Sequence, residues 1–356
     1  MLVDLGALAA NYRAIAALQP NARIAGVVKA DAYGLGARPV SATLYNAGCR
    51  NFFVAHLVEA MDLRPTLPAD ARVFVLNGLA PGAESAAAQA GVIPVLNSLD
   101  QAHRWADESR RCGMRLASAL QVDSGMTRLG LSEPEVDALA GDPALRSHLD
   151  VILLMSHLAC ADESEHSANL QQFACFETLA ARLPEAPRAL ANSGGAFLAG
   201  FGLDMVRPGL ALYGVHPVEG QSGPLRPVLA LSAPIVQTRD VPAGTGVGYG
   251  LAHTTERACR LATVAIGYAD GWPRSLSGRG SVFCGGVRAP IVGRVSMDSI
   301  VIDVTDVPAE AVRPGAMVEL IGPHQSLADV ARDAGTIPYE ILTGLGQRFA
   351  RRTLPA

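Results

Sequence analysis

Eight short apolar runs fill residues 24 to 214, most of them closing on a polar residue: IAGVVK, NFFVAH, RVFVLN, VIPVLN, ASALQVD, VILLMSH, RALANS and DMVRPGLALYG. Between them lie segments with apolar residues at helical spacing, among them QAHRWADESRRCG and NLQQFACFETLAARL, and LGALAANYRAIAAL precedes the first run. Parallel strands need a crossover between neighbours, so strands alternating with helices point to a parallel sheet. Eight such units predict an α/β fold, an N-terminal (β/α)8 TIM-type barrel. In that architecture the C-terminal strand ends face the mouth where chemistry is done. The run ends place Lys29, His56, Asn77, Asn97, Asp123, His157, Asn192 with Ser193, and Arg207 there.

Beyond residue 225 the texture changes to closely spaced Val- and Ile-rich strands broken by glycine and proline, until SLADVARDAG restores a helical pattern. This predicts a C-terminal all-β domain, with domains at 1–224 and 225–356 and a boundary near GQSGPLRP. A chain of 356 residues, 49% hydrophobic and 17% charged, has ample material for two cores. The net charge of −4, without a long run of basic residues, argues against nucleic acid and against anionic membrane as partners. The first twenty residues carry Asp4, Asn11 and Arg13 and read as a strand end and an amphipathic helix, not as a signal peptide. No apolar stretch reaches the length of a transmembrane helix. A cytoplasmic protein is expected. Six scattered cysteines with no Cys-x-x-Cys pair suggest neither a disulfide framework nor a metal site. Cys160, close after His157, is a weak candidate nucleophile.

Lys29 is the residue that most needs explaining. It comes directly after Val27 and Val28 and precedes a glycine-rich turn. Desolvation there disfavours the ammonium and makes the amine a nucleophile suited to carbonyl chemistry. A structural lysine paired with a barrel carboxylate such as Asp123 fits the same position equally well.

The surrounding segment VVKADAYGLG resembles the lysine segment of alanine racemases, enzymes that use pyridoxal 5'-phosphate. The resemblance continues in order through VDSGMTRLG, SHLACAD, ANSGG, MVRPGLALYG, GVGYG, IGYADGWPR, IVGRVSMD and PYEILTGLGQR, covering nearly the whole chain. It implies the same barrel and β domain, and a two-base isomerase interconverting L- and D-alanine for peptidoglycan or for D-alanine catabolism. By the same resemblance Lys29 holds the cofactor covalently and serves as one base, and Tyr249 is the other. Tyr33, Ser193, Gly209 and Leu210 would hold the phosphate, with Asn192 beside them, and ANSGG would open a helix whose dipole favours it. Arg207 would donate to the pyridine nitrogen, with His157 linking it to Tyr249. Arg128 would meet the cofactor phenolate oxygen and the substrate carboxylate, the latter shared with the Met297 backbone amide. Tyr268 would narrow the entrance, with Asp162, Arg274 and Arg294 as outer charges. Since Tyr249, Tyr268 and Met297 fall in the β domain, the resemblance implies a head-to-tail homodimer with shared active sites.

Two positions depart from the family. Many members carry a carbamylated lysine where this chain has Gln121, and some have an entrance tyrosine where it has Gln347. The first raises the question of whether Gln121 recruits an anion to hold Arg128. The second opens the entrance to serine or another small amino acid. Two alternatives remain beside the alanine racemase reading: a racemase of such an amino acid, and a non-catalytic protein that binds pyridoxal phosphate for homeostasis. A decarboxylase on the same barrel is disfavoured by Arg207 in place of a carboxylate.

Overall fold

In a computed structural model, residues 1–218, 221 and 223–356 are described. The chain divides into two compact units. The barrel unit comprises Ala7–Ala32 and Gly36–Arg226; the β unit comprises Met1–Gly6, Tyr33–Leu35 and Pro227–Ala356. Of the expected boundary stretch, Gly220 and Ser222 lie outside the described residues.

Seven parallel strands of the barrel unit succeed one another in chain order: Gly26–Val27, Asn51–Val54, Arg72–Val75, Ile93–Leu96, Leu116–Gln121, Leu149–Met155 and Arg188–Ala189. An eighth, Met205–Val206, closes the ring. It pairs in parallel with Arg23–Ile24, and the Ala25 and Val27 N–H groups donate to Val206 O and Pro208 O at 2.9 and 3.1 Å. On its other side, Asp204 N–H donates to Arg188 O at 3.1 Å and Arg207 N–H to Ala191 O at 2.9 Å. The α/β barrel expected from the alternating runs is the fold observed. Its strands are buried, as parallel strands covered on both faces are: Phe52, Phe53, Val73 and Phe74 are fully enclosed, and the rings of Phe53 and Phe74 stack at 4.6 Å.

Local chemistry sets the helices. Ser98 accepts from Gln101 N–H to start Leu99–Cys112, and Gly113 ends it in the left-handed conformation at φ 68°. The helix Leu5–Leu18 turns Leu8, Asn11, Tyr12 and Ile15 inward, one face at three- and four-residue spacing. The last two barrel strands are followed only by 3₁₀ turns, Gly195–Phe197 and Leu210–Tyr213. The helix expected to open at ANSGG is therefore a single turn, ended by Leu198 in an extended conformation.

Within the β unit the 13-residue strand Leu229–Val241 organises the sheet. It pairs antiparallel with Met317–Ile321 along its first half and with Cys259–Val264 along its second, with register irregularities after Leu231 and after Ile235. The order then runs through Ile300–Asp303, Val287–Val292 and Ser281–Cys284 back to Met317–Ile321, so six strands close on themselves. Ile235, Val264, Val282, Ile300, Ile302, Val318 and Leu320 fill the interior. Leu2–Asp4 joins this sheet between Leu229–Val241 and Arg352–Leu354. The opening residues, read from sequence as part of the barrel, thus pair with the β unit. Two short helices, Leu327–Ala334 and Pro338–Gly344, complete it.

Candidate active site

The Lys29 side chain leaves the mouth end of the first barrel strand, beyond buried Val27 and Val28. The backbone then takes an unusual path: Ala30, Asp31, Ala32 and Tyr33 all adopt left-handed conformations, with φ of 53, 52, 53 and 57°. For residues with a Cβ this costs roughly 1–2 kcal/mol each, so neighbouring contacts must hold the turn. Its start is held by Glu59, whose Oε1 accepts from Ala30 N–H at 2.6 Å. Its far side is held by Asp31, whose backbone O accepts from Gly36 N–H and whose Oδ1 accepts from Ala37 N–H.

Burial is the main cause that lowers the Lys29 pKa below the usual ammonium value; Arg128 adds to it and Glu59 opposes it. The pairing of Lys29 with Asp123 is not what forms. Asp123 Oδ1 instead accepts three backbone N–H groups, from Gly125, Met126 and Thr127, at 2.9 to 3.0 Å. That turn shapes the loop carrying exposed Arg128. Buried Gln121 donates from Nε2 to Leu129 O at 3.1 Å. Its amide therefore grips the loop backbone next to Arg128.

Arg207 is buried, and burial lowers its pKa to about 10, which leaves it charged at neutral pH. Its Nη2 donates to Ser156 O at 2.5 Å and Leu190 O at 3.5 Å, while Nη1 is buried with no protein acceptor among the described residues. A buried cationic donor left open is costly unless a ligand atom accepts from it. An accepting ligand atom such as a pyridine nitrogen would satisfy it. His157 is pushed down to about 3 by burial first, then by Arg207, Arg128 and Lys29, so its imidazole is neutral. Its Nε2 faces Asn192 Nδ2 at 3.4 Å.

Asn192 and Ser193 follow the seventh strand. Asn192 Oδ1 accepts from Gly195 N–H at 3.0 Å, and Ser193 Oγ accepts from Gly209 N–H at 2.9 Å and Ala211 N–H at 3.3 Å. With both lone pairs engaged, the Ser193 hydroxyl has its proton to give elsewhere. Gly209 N–H is occupied by this bond. The N–H groups of Ser193, Gly194 and Leu210 have no protein acceptor among the described residues. A set of open N–H groups beside a hydroxyl with its proton to give suits a phosphate.

The remaining sequence candidates belong to the β unit. Tyr33 is buried beside Tyr339, with ring centroids 6.0 Å apart, and burial is the main cause raising its pKa. Tyr249 opens a 3₁₀ turn between Gly248 and Gly250, which take φ of 70 and 69°, and is 72% exposed. Tyr268 N–H donates to Ser296 O and Ala269 N–H to Met297 O, both at 3.0 Å. Tyr268 is 43% and Met297 52% exposed, and Met297 N–H has no acceptor among the described residues. Arg348, beside Gln347, ties this loop down through Asp270 at 3.2 Å and Asp298 at 2.7 Å. Among the outer charges Asp162 lies in the barrel unit, and Arg274 and Arg294 lie in the β unit.

The barrel thus gathers Lys29, Arg128, His157, Asn192, Ser193, Arg207, Gly209 and Leu210 in one unit, while Tyr33, Tyr249, Tyr268 and Met297 belong to the other. Sequence reasoning missed Glu59. Its signal was present in HLVE, where a glutamate three residues after a helix-entry residue marks a capping box.

Comparison with known proteins identifies the family. Residues 3–217 match the family model of the alanine racemase N-terminal domain, and residues 228–353 that of the C-terminal domain. A catabolic alanine racemase of Agrobacterium fabrum is 51% identical over 99% of this chain and 91% of its own length. An alanine racemase of Brucella canis is 52% identical over 99% and 92%. The crystal structure of alanine racemase from Bartonella henselae with covalently bound pyridoxal phosphate superposes with a TM-score of 0.96 at 44% identity, covering 99% of this chain and 98% of that one. With both domain models matched in order and half of its residues shared with curated members, the chain belongs to the alanine racemase family.

Proposed function

We propose that this chain is a pyridoxal-phosphate-dependent racemase that interconverts L- and D-alanine. The observation that carries the reading is the barrel mouth itself: a desolvated Lys29 in the same unit as a buried, charged Arg207 whose Nη1 has no protein acceptor among the described residues. Bound there, pyridoxal phosphate would supply an electron sink that acidifies the α-C–H of alanine.

The chain's own residues divide the rest of the work. Ser193 and Leu210, with Asn192 and Gly209 shaping their surroundings, would hold the phosphate, and Arg207 would donate to the ring nitrogen. A guanidinium keeps its proton at working pH, so Arg207 binds that nitrogen without protonating it, which restrains side reactions. Arg128 orients the substrate carboxylate with the forked donors of a guanidinium, and the Met297 N–H meets the same group. Proton removal on one face and return on the other need two groups on opposite sides. Lys29 Nζ takes one side and Tyr249 Oη the other, with neutral His157 helping to order the second. Tyr268 narrows the entrance.

High exposure of Tyr249 and Met297 in the single chain supports their use by a second copy. We therefore read the protein as a head-to-tail homodimer in which the β unit of one copy serves the barrel of the other. Among the described residues no helix is long and apolar enough to cross a membrane, and all six cysteines are unpaired. Unpaired thiols favour a reducing, cytoplasmic setting. The qualifier "catabolic" on the Agrobacterium relative favours D-alanine catabolism over supply of peptidoglycan precursors.

Chiral chromatography after incubating the reconstituted protein with L-alanine, and separately with L-serine, tests the reading. D-alanine is expected, and Lys29→Ala is expected to abolish it. Formation of D-serine alone would shift the substrate, and no D-enantiomer from either would overturn racemisation.

A further inference from the structure

Glu59 does more than a capping residue requires. Its Oε2 accepts from Ala55 N–H at 2.7 Å and His56 N–H at 2.9 Å, which completes the cap of the helix Leu57–Leu63. The other oxygen is free of that task. It reaches the first strand end and accepts from Ala30 N–H at 2.6 Å, the residue after Lys29 and the first of the left-handed run. One carboxylate thus ties the mouth ends of two adjacent strands and secures the start of a strained turn. Asp31 secures the other side through Gly36 and Ala37, and Ala32 N–H returns to Val28 O at 2.9 Å.

We propose that Glu59 is a positioning residue for Lys29: by clamping Ala30 to the second strand end, it fixes the backbone from which the lysine side chain departs. The clamp rests on the reading of Lys29 as the reacting amine. A turn of non-glycine residues at positive φ relaxes when an anchor is removed, and the base of Lys29 moves with it. Displacing a reacting group by about 1 Å can cost about 100-fold in rate. Glu59 also supplies negative charge at the amine. The charged groups acting on Lys29 are Glu59 and Arg128, and of these only Glu59 favours its protonated form; nearby His157 is neutral.

The test uses Glu59→Gln and Glu59→Asp in the full chain with two readouts. The first is the pH dependence of Lys29 acetylation by acetic anhydride in the cofactor-free protein, monitored by mass spectrometry; it does not depend on activity. The second is steady-state racemisation of alanine. Glu59→Gln is expected to lower the midpoint of Lys29 acetylation and to reduce kcat at least about 10-fold with little change in KM. Glu59→Asp keeps the charge and is expected to recover part of both. An unchanged acetylation profile and kcat in Glu59→Gln would overturn the clamp. So would a loss of thermal stability in both variants with the Lys29 profile unmoved, because a capping residue alone does that. Racemisation by Lys29→Ala would instead overturn the role of Lys29, and the acetylation profile would still decide whether Glu59 holds it.

Discussion

His157 shows how burial and a neighbouring guanidinium set the state of an imidazole. A charged guanidinium nearby and the loss of solvent hold the imidazole neutral down to about pH 3. The unfolded chain takes up that proton near the ordinary histidine value, so between about pH 6.5 and 3 it binds more protons than the folded one, and stability falls as pH drops through this window. The slope is about 1.4 kcal/mol per pH unit for one such group. Urea unfolding of the cofactor-free protein at several pH values should show it, and His157→Gln should flatten it; an equal slope in both proteins would mean the burden lies elsewhere. Gln121 is open to a similar test. Its grip on Leu129 O gives Arg128 support through the loop backbone. Gln121→Ala leaves that carbonyl without its partner at about 1–3 kcal/mol, and KM for alanine should rise several-fold. Added bicarbonate or chloride should leave wild-type activity unchanged; strong activation by either would show that an anion is recruited after all.

Among the elements, the strands of the barrel were legible because parallel strands buried on both faces are continuous apolar runs, and their polar ends name the mouth. The left-handed turn after Lys29 was not legible, since Ala30, Asp31, Ala32 and Tyr33 carry no glycine signal and tertiary contacts impose the conformation. The third bond of Glu59 was hidden for the same reason: its cap is local, but Ala30 is 29 residues away. The closed β barrel was hidden too, because the pairing of Leu229–Val241 with two distant strands is set by register rather than by composition. Glycines in the β unit's loops are better read from the structure. Gly271 sits at φ 90°, and a Cβ there would lie 1.9 Å from Gly344 O. Gly271→Ala combines strain with a clash against backbone and should cost more than about 3 kcal/mol in thermal unfolding. A neutral result would mean that the Gly344 segment yields freely.

At the scale of the whole molecule, Lys29 belongs to the barrel unit and Tyr249 to the β unit, and in the proposed head-to-tail dimer a working site takes one from each of two copies. The family resemblance in the motifs made the list of residues legible, but no single-chain sequence pattern reveals which copy supplies which. Complementation measures this directly. Lys29→Ala and Tyr249→Phe are purified as separate inactive proteins, then mixed under conditions that exchange subunits. In a mixed dimer one site loses both groups and the other recovers both, so about a quarter of the wild-type rate is expected after random exchange of a shared-site dimer. A mixture that stays inactive while mixed dimers are shown to form would contradict the shared site and place both groups within one copy.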